Sequence, residues 1–540
     1  MQRTSTLFVP GRAEQSRIFD VCVATLSIGI YLLWCYWFRF KGTLGDADMY
    51  RMLRGLLDGA YTGTGFASGL QYGKGFSFGY IFSLYSVVDR TTMQDPQRLI
   101  ALINGIGFWA AAVGSIFFWA ALWALHGVRR ATIAVVLFLF SPIQLEQGTS
   151  GHPGLVSFAF FSAAALLLFL PTRGLRAVFC GVLASILLLA SLTMRADILL
   201  AFPFIVLARA NFRSFKLLIR SVLLPAVGPT LAVIVFFLLK SKYVDGAAQP
   251  GPSLHEFFNS YYKLSHIPAG VAICFLGCGV FTVLLGMVSA IGLLRKVGTT
   301  PPASERRVEL LQASIGPISL LLPSFVFWIA NPTPARHFVL CLAGLCMLAA
   351  WLVPSFPAAQ WTRSAYLVAF GIVLANQAFG ALSGPIILRH YPFKMVAVAG
   401  QPRVMPLVPI GDSVSFHRAV QAEMSRADAF AERVGGLCDA ETIALTDHMP
   451  QVSSHIYGWP GRWTVEEGKF HRFSTLTARD GRRTIVFLSV HEGWPEDPVA
   501  AILGETSLQQ YKLVQDPGTL SIFDKTEIPL DRIVHFGCSR

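Results

Sequence analysis

Eleven apolar runs joined by short polar links constrain this chain more than any other feature. They occupy residues 18–38, 99–124, 131–145, 154–170, 177–194, 198–208, 221–239, 268–294, 310–330, 338–354 and 364–382. A helix needs about 20 residues to cross the hydrocarbon of a bilayer. A backbone in lipid must also satisfy its own hydrogen bonds, and unbroken apolar runs of this kind do so as helices. The run 198–208 is short for a span. The aromatic-rich stretch Phe76 to Val88, with 13 residues, reads as interfacial rather than spanning. Only 14% of residues are charged, against about a quarter in soluble domains, and the mean hydropathy is +0.54. A disordered chain, a fibre and a small secreted scaffold are excluded.

The net charge of +13 could suggest a nucleic-acid partner, but the Lys and Arg are scattered through short links instead of clustered. No nucleic-acid partner is expected. Residues 1–394 hold 30 Lys and Arg against 13 Asp and Glu, a net of +17, whereas residues 395–540 hold 14 against 18, a net of −4. The first part reads as a membrane domain. The second has soluble composition and enough length for a core of its own, with the boundary in the Pro-rich stretch Gly384 to Pro409. Eleven spans with the N-terminus in the cytoplasm leave 16 basic residues on the cytoplasmic side. The short outer loops then keep five: Arg195, Lys240, Lys242, Lys263 and Arg336. Making Phe76 to Val88 a span would move 13 of those 16 outside, against the positive-inside rule. The first loop, 39–98, and the C-terminal region therefore belong outside the cytoplasm. The first span reads as a retained signal anchor.

Seven of the nine cysteines fall inside the apolar runs, where a small apolar side chain is the plain explanation. Cys274 and Cys278 lie four apart on one helical face, but no His or acid accompanies them, which argues against a metal site. Cys438 and Cys538 fall in the external region, where a disulfide is chemically permitted. That region reads as mixed α/β, with a helix over 412–434, strands over 442–445 and 484–490, and a hairpin over 511–523 around Asp516-Pro517-Gly518. A packing or acceptor-shaping domain accounts for it.

Three constellations carry candidate chemistry. Asp46 and Asp48, in Gly45-Asp46-Ala47-Asp48-Met49-Tyr50, follow the first span directly. A carboxylate beside lipid can take a raised pKa suited to general-base work, though capping of the next helix explains the pair as well. Glu146 and His152 lie in the second outer loop after Ser141-Pro142, as ligands for a polar acceptor or as parts of a tight turn. Arg195 with Asp197, and Arg336 with His337, are outer-side cations. An arginine there can hold a phosphate through its planar fork, pair with a neighbouring acid, or snorkel to the interface. Phe257, Phe258, Tyr261 and Tyr262 read as an interfacial aromatic belt that could line a lipid-entry groove.

The order of these features resembles the GT-C superfamily of membrane glycosyltransferases, which includes protein O-mannosyltransferases and aminoarabinose transferases. The resemblance spans residues 18 to 350. It rests on Asp46 with Tyr50 after the first span, the interfacial Phe76 to Val88, Ser141-Pro142 with Glu146, Thr193-Met194-Arg195, and Pro334-Ala335-Arg336-His337-Phe338. It departs from the pattern in having Asp48 where some members carry an acid adjacent to the first Asp, and His337 where Tyr is more usual. The resemblance implies a polyprenyl-phosphate sugar donor, membrane lipids as surroundings, an extracytoplasmic acceptor and inversion at the anomeric carbon. Asp46 would be the general base, and Asp48 would help through a divalent cation, Mg or Mn, or through acceptor contacts. Arg336 with Arg195 and His337 would meet the donor phosphate; Tyr50, Glu146 and His152 would serve the acceptor.

The alternative is a lipid or polysaccharide transporter or flippase, which needs polar residues facing inward from several spans. A scaffold that only presents the external domain is a third reading. The bacterial inner membrane is the expected location, with the C-terminal domain periplasmic, since no organelle address is evident. Cys438 and Cys538 are expected to be bonded, so reduction of the denatured protein should raise the thiol count by two. An unchanged count removes the bond.

Overall fold

In the computed structural model of the chain, the described residues are 12–39, four positions between 52 and 60, 77–93, 95–171, 174–244, 262, 264–301, 304–330, 335–353, 362–389 and seven short strands beyond 395. The protein is a polytopic helical membrane protein. Among the described residues, six helices are long and apolar enough to cross a bilayer, and shorter apolar helices have 10–17 residues.

Each apolar run is helical. The first gives α1 (Arg12–Phe38), and the aromatic stretch after it gives the short helix α2 (Phe78–Val87). The second run gives α3 (Pro96–His126). The third divides at Ser141-Pro142 into α4 (Val128–Leu139) and α5 (Pro142–Gln147). A proline tolerates the first helical position, where its missing N–H costs nothing, and the Ser141 hydroxyl accepts from Gln144 N at 3.3 Å. The chain therefore restarts there as a new helix. Next come α6 (Pro153–Phe169) and α7 (Leu175–Met194). The short run 198–208 is a 3₁₀ turn, Ala196–Ala201, followed by α8 (Phe202–Leu207). Then follow α9 (Phe215–Tyr243), α10 (Ile267–Cys278), α11 (Val280–Thr299) and α12 (Glu305–Ile329). A second 3₁₀ turn, Ala335–Phe338, leads into α13 (Val339–Leu352), and α14 (Thr362–Arg389) closes the helical part.

The sequence reads 268–294 as one run, but the structure breaks it at Gly279, whose φ of +87° only glycine adopts readily. The break frees backbone groups, and α14 satisfies one of them. Asn376 Oδ1 accepts from Phe281 N at 2.8 Å, while its amide donates to the Thr282 hydroxyl at 2.8 Å. The next residue, Gln377, donates to Phe140 O at the end of α4, 3.0 Å away.

Helix position follows from which faces must be dry. In α4 and α13 nearly every residue is buried, with Leu340 to Ala350 enclosed without interruption. A helix apolar all round belongs either in a core or in lipid, and these two occupy the core. α9 and α7 lie at the periphery, exposing Leu223, Val227, Leu231 and Ile234 on one and Val178, Phe179, Val182 and Ile186 on the other. Close crossings use small residues: a Cβ on Gly344 would lie 2.7 Å from Pro317 O and 2.8 Å from Leu321 Cβ. Asp20, buried in α1, accepts from Tyr366 of α14 at 2.6 Å, and Arg129 of α4 stands 3.8 Å from its other oxygen.

Beyond Arg389 the described residues form strands. β1 (Val396–Val398) pairs antiparallel with β2 (Gln401–Arg403). β3 (Glu441–Thr446), β4 (Val465–Glu467), β5 (Ser474–Ala478), β6 (Arg483–Leu488) and β7 (Tyr511–Val514) make a mixed sheet in the order β4-β3-β6-β5-β7. β3 runs parallel to both β4 and β6, while β5 runs antiparallel to β6 and β7. The helix expected over 412–434, the second half of the 511–523 hairpin, and Cys438 and Cys538 lie outside the described residues.

Asn376→Ala leaves the Phe281 amide without its side-chain acceptor at a place where lipid offers no replacement, which costs about 1–3 kcal/mol. A lower unfolding midpoint in detergent is expected, and an unchanged midpoint removes Asn376 from this role.

Candidate functional site

Four loop-borne side chains converge where α6 begins and α7 ends. His152 caps α6: Pro153 starts the helix, and Gly154 N donates to His152 Nδ1 at 3.0 Å, fixing the ring. α7 stops at Met194, and the extended backbone of Arg195 turns the chain into the 3₁₀ turn that carries Asp197. The other 3₁₀ turn, between α12 and α13, supplies Arg336 and His337.

Arg195 is the hub. Its Nε donates to both oxygens of Asp197, at 2.7 and 2.8 Å. Its Nη2 lies 2.7 Å from His337 Nδ1, and its Nη1 lies 3.2 Å from His152 Nδ1. Guanidinium groups only donate, so Arg195 faces each histidine as a donor, with His152 Nε2 also 3.4 Å from its Nη1. The ring of Trp328 lies against that of His337, centroids 4.1 Å apart. Side-chain exposure is 13% for Arg195, 14% for His337 and 22% for Asp197, so the group is largely buried yet keeps some contact with solvent.

Asp197 and His337 stand just outside the apolar runs that follow them. Burial pushes the Asp197 carboxyl up, but the Arg195 charge more than reverses this and holds it at about 2. Burial, reinforced by Arg195, lowers His337 to about 3. The cluster therefore pairs an ionised acid with a fixed guanidinium beside a neutral His337 imidazole, a preorganised set of donors and dipoles with no net charge, of the kind that can stabilise charge developing on a reacting anion.

The loop bearing Glu146 and His152 is fastened from several sides. Tyr31 and Trp34 of α1 donate to Gln144 O at 3.2 Å and Leu145 O at 2.9 Å. Gly151 sits so near Ile103 of α3 that a Cβ would lie 2.7 Å from its carbonyl oxygen. The Gln147 amide donates to Arg336 O at 3.2 Å, which ties this loop to the Arg336 turn. Helix α2 reaches the same place, with Gly79 packed directly on Thr193.

Of the expected site residues, His152, Arg195 and His337 meet directly, and Arg336 joins them through its backbone. The ion pair of Arg195 with Asp197 is realised. Glu146 lies on α5, next to Gln147. Asp46, Asp48 and Tyr50, and with them the expected divalent-cation pair, lie outside the described residues. Gln147 and Trp328 escaped the sequence reading. Each is an ordinary residue for its helix, and only a partner almost 200 positions away, or across a loop, gives it a role.

Both titrating groups have folded values below their ordinary ones, 6.5 for His337 and 3.8 for Asp197. The unfolded chain then binds more protons, so stability rises with pH. The His337 contribution is full above pH 6.5 and is lost as pH falls towards 3, and Asp197 adds to the loss between 3.8 and 2. The unfolding midpoint should decline on acidification from pH 6.5, and His337→Gln should flatten that decline. An identical pH profile in the variant contradicts a neutral, buried His337.

No protein-family model matches the sequence, and no curated protein does. Among solved structures, ArnT from Cupriavidus metallidurans bound to undecaprenyl phosphate is 16% identical, with a TM-score of 0.42, over 82% of this chain and 74% of its own. The archaeal oligosaccharyltransferase AglB from Archaeoglobus fulgidus, in complex with an inhibitory peptide and a dolichol-phosphate, is 10% identical, with a TM-score of 0.43, over 80% of this chain and 64% of its own. An Archaeoglobus fulgidus oligosaccharyltransferase in complex with Zn and sulfate is 13% identical, with a TM-score of 0.41, over 79% of this chain and 61% of its own.

Proposed function

We propose that the chain is an integral membrane glycosyltransferase that moves a sugar from a polyprenyl-phosphate donor to an acceptor outside the cytoplasm. One observation carries the reading: the loops that the charge distribution assigns to the outer face are the ones that meet around Arg195, through His152, Asp197 and His337. A guanidinium fixed among the outer loops suits a phosphate whose lipid tail stays in the bilayer.

In the proposed reaction Asp46 takes the proton of an acceptor hydroxyl, and that oxygen attacks the anomeric carbon. The bond from this carbon to the phosphate oxygen breaks, and the polyprenyl phosphate leaves with the bonding pair. A single displacement inverts the anomeric centre, with base and leaving group on opposite sides. Arg336, with Arg195 and His337, offsets the negative charge that grows on the leaving phosphate. Tyr50, Glu146 and His152 shape the acceptor side. Asp46 and Asp48 are hard oxygen donors of the type that Mg or Mn prefers, and a cation held there would orient the acceptor.

The same reading places eleven spans in the bacterial inner membrane, with the N-terminus in the cytoplasm. It makes 1–394 the transmembrane domain, with 39–98 as its first outer loop, and 395–540 an external α/β domain that contributes to acceptor binding. The sugar moved from the lipid-linked donor is a hexose or a pentose.

Loss of a general base costs about 10²–10⁴ in rate, so Asp46→Asn should reduce transfer by that factor in a protein that still folds and inserts. Arg336→Ala should cost about 10²–10³, with part restored by Arg336→Lys, which keeps the charge but loses the fork. Transfer at the wild-type rate by Asp46→Asn removes Asp46 from the base role.

A further inference from the structure

Away from the loops, the fold joins three thiols that the sequence separates. Cys274 and Cys278 lie one turn apart on α10, and Cys341 comes from α13. The sulfur of Cys274 stands 4.0 Å from that of Cys278 and 3.7 Å from that of Cys341, and all three sulfurs lie within 4.8 Å of one another. Each residue is at most 1% exposed. Among the described residues this is the one group of three potential metal ligands. The two cysteines of α10 lack a third ligand in the sequence; packing against α13 supplies it.

We propose that Cys274, Cys278 and Cys341 form a binding site for a single soft monovalent cation, copper(I) in biological terms. The geometry fits: a metal–sulfur bond of about 2.3 Å puts the sulfurs of a trigonal site about 4.0 Å apart, near the two observed separations. Sulfur alone selects a soft metal over Mg, Ca or Mn. Three ligands in a dry interior disfavour zinc, which takes four in structural sites. Cysteine binds metal as thiolate, so each sulfur that coordinates the ion releases its thiol proton to solvent.

The site would tie α10 to α13. Cys341 lies four residues after His337, so a bound ion braces the helix that begins at the Arg336–His337 turn.

The test uses the full-length protein purified metal-free in detergent and titrated anaerobically with copper(I) delivered from a competing chelator. Expected are one equivalent bound, X-ray absorption showing three sulfur neighbours at about 2.3 Å, and a raised unfolding midpoint, since a ligand of the folded state stabilises it. Cys274→Ala and Cys341→Ala should each lose the equivalent and the shift, whereas Cys22→Ala and Cys180→Ala keep both. Nitrogen or oxygen neighbours, unchanged stoichiometry in Cys274→Ala, or a Cys274–Cys341 disulfide in the protein as isolated overturns the proposal. If the site variants do not fold, the sulfur count and midpoint shift of the wild type decide the question.

Discussion

The absence of water from the bilayer core governs this molecule, because every backbone group there must find its partner within the protein. An unbroken helix does so automatically, and each interruption needs a side chain or a tertiary contact. The break at Gly279 is met by Asn376, the end of α4 by Gln377, and the restart at Pro142 by Ser141. Tyr31 and Trp34 hold carbonyls of α5. Each of these polar side chains serves a place where regular helix starts or stops.

The same economy builds the site. The side chains of the site come from where helices end: His152, Arg195 and His337 stand at the ends of α6, α7 and the turn before α13. Arg195 is held by one carboxylate and two imidazoles, so its orientation is set before any ligand arrives. Donors oriented in this way need no rearrangement when charge develops on a substrate. Helix α2 adds a wall through Gly79, which packs on Thr193 two residues from the hub.

Hydropathy alone made the helical runs legible, because lipid leaves few alternatives to helix. It did not distinguish α4 and α13, which occupy the core, from α9, which lies outside them, since Leu and Phe suit lipid and protein interior alike. The break in 268–294 was hidden because Gly279 is one of many glycines in the chain, and only its positive φ beside Asn376 singles it out. Arg195, His152 and His337 were legible as polar residues in otherwise apolar surroundings. Their meeting was not, nor was the approach of Cys341 to Cys274, because both depend on contacts between residues dozens to hundreds of positions apart.

The central claim is that this site performs covalent transfer and does not merely move a lipid. The most direct measurement follows a radiolabelled sugar on polyprenyl phosphate, incubated with the purified protein in liposomes together with membrane extract as a source of acceptor. The account predicts that label passes to a new acceptor while unlabelled polyprenyl phosphate accumulates. Label that stays on its polyprenyl phosphate and only equilibrates between the two leaflets would contradict it.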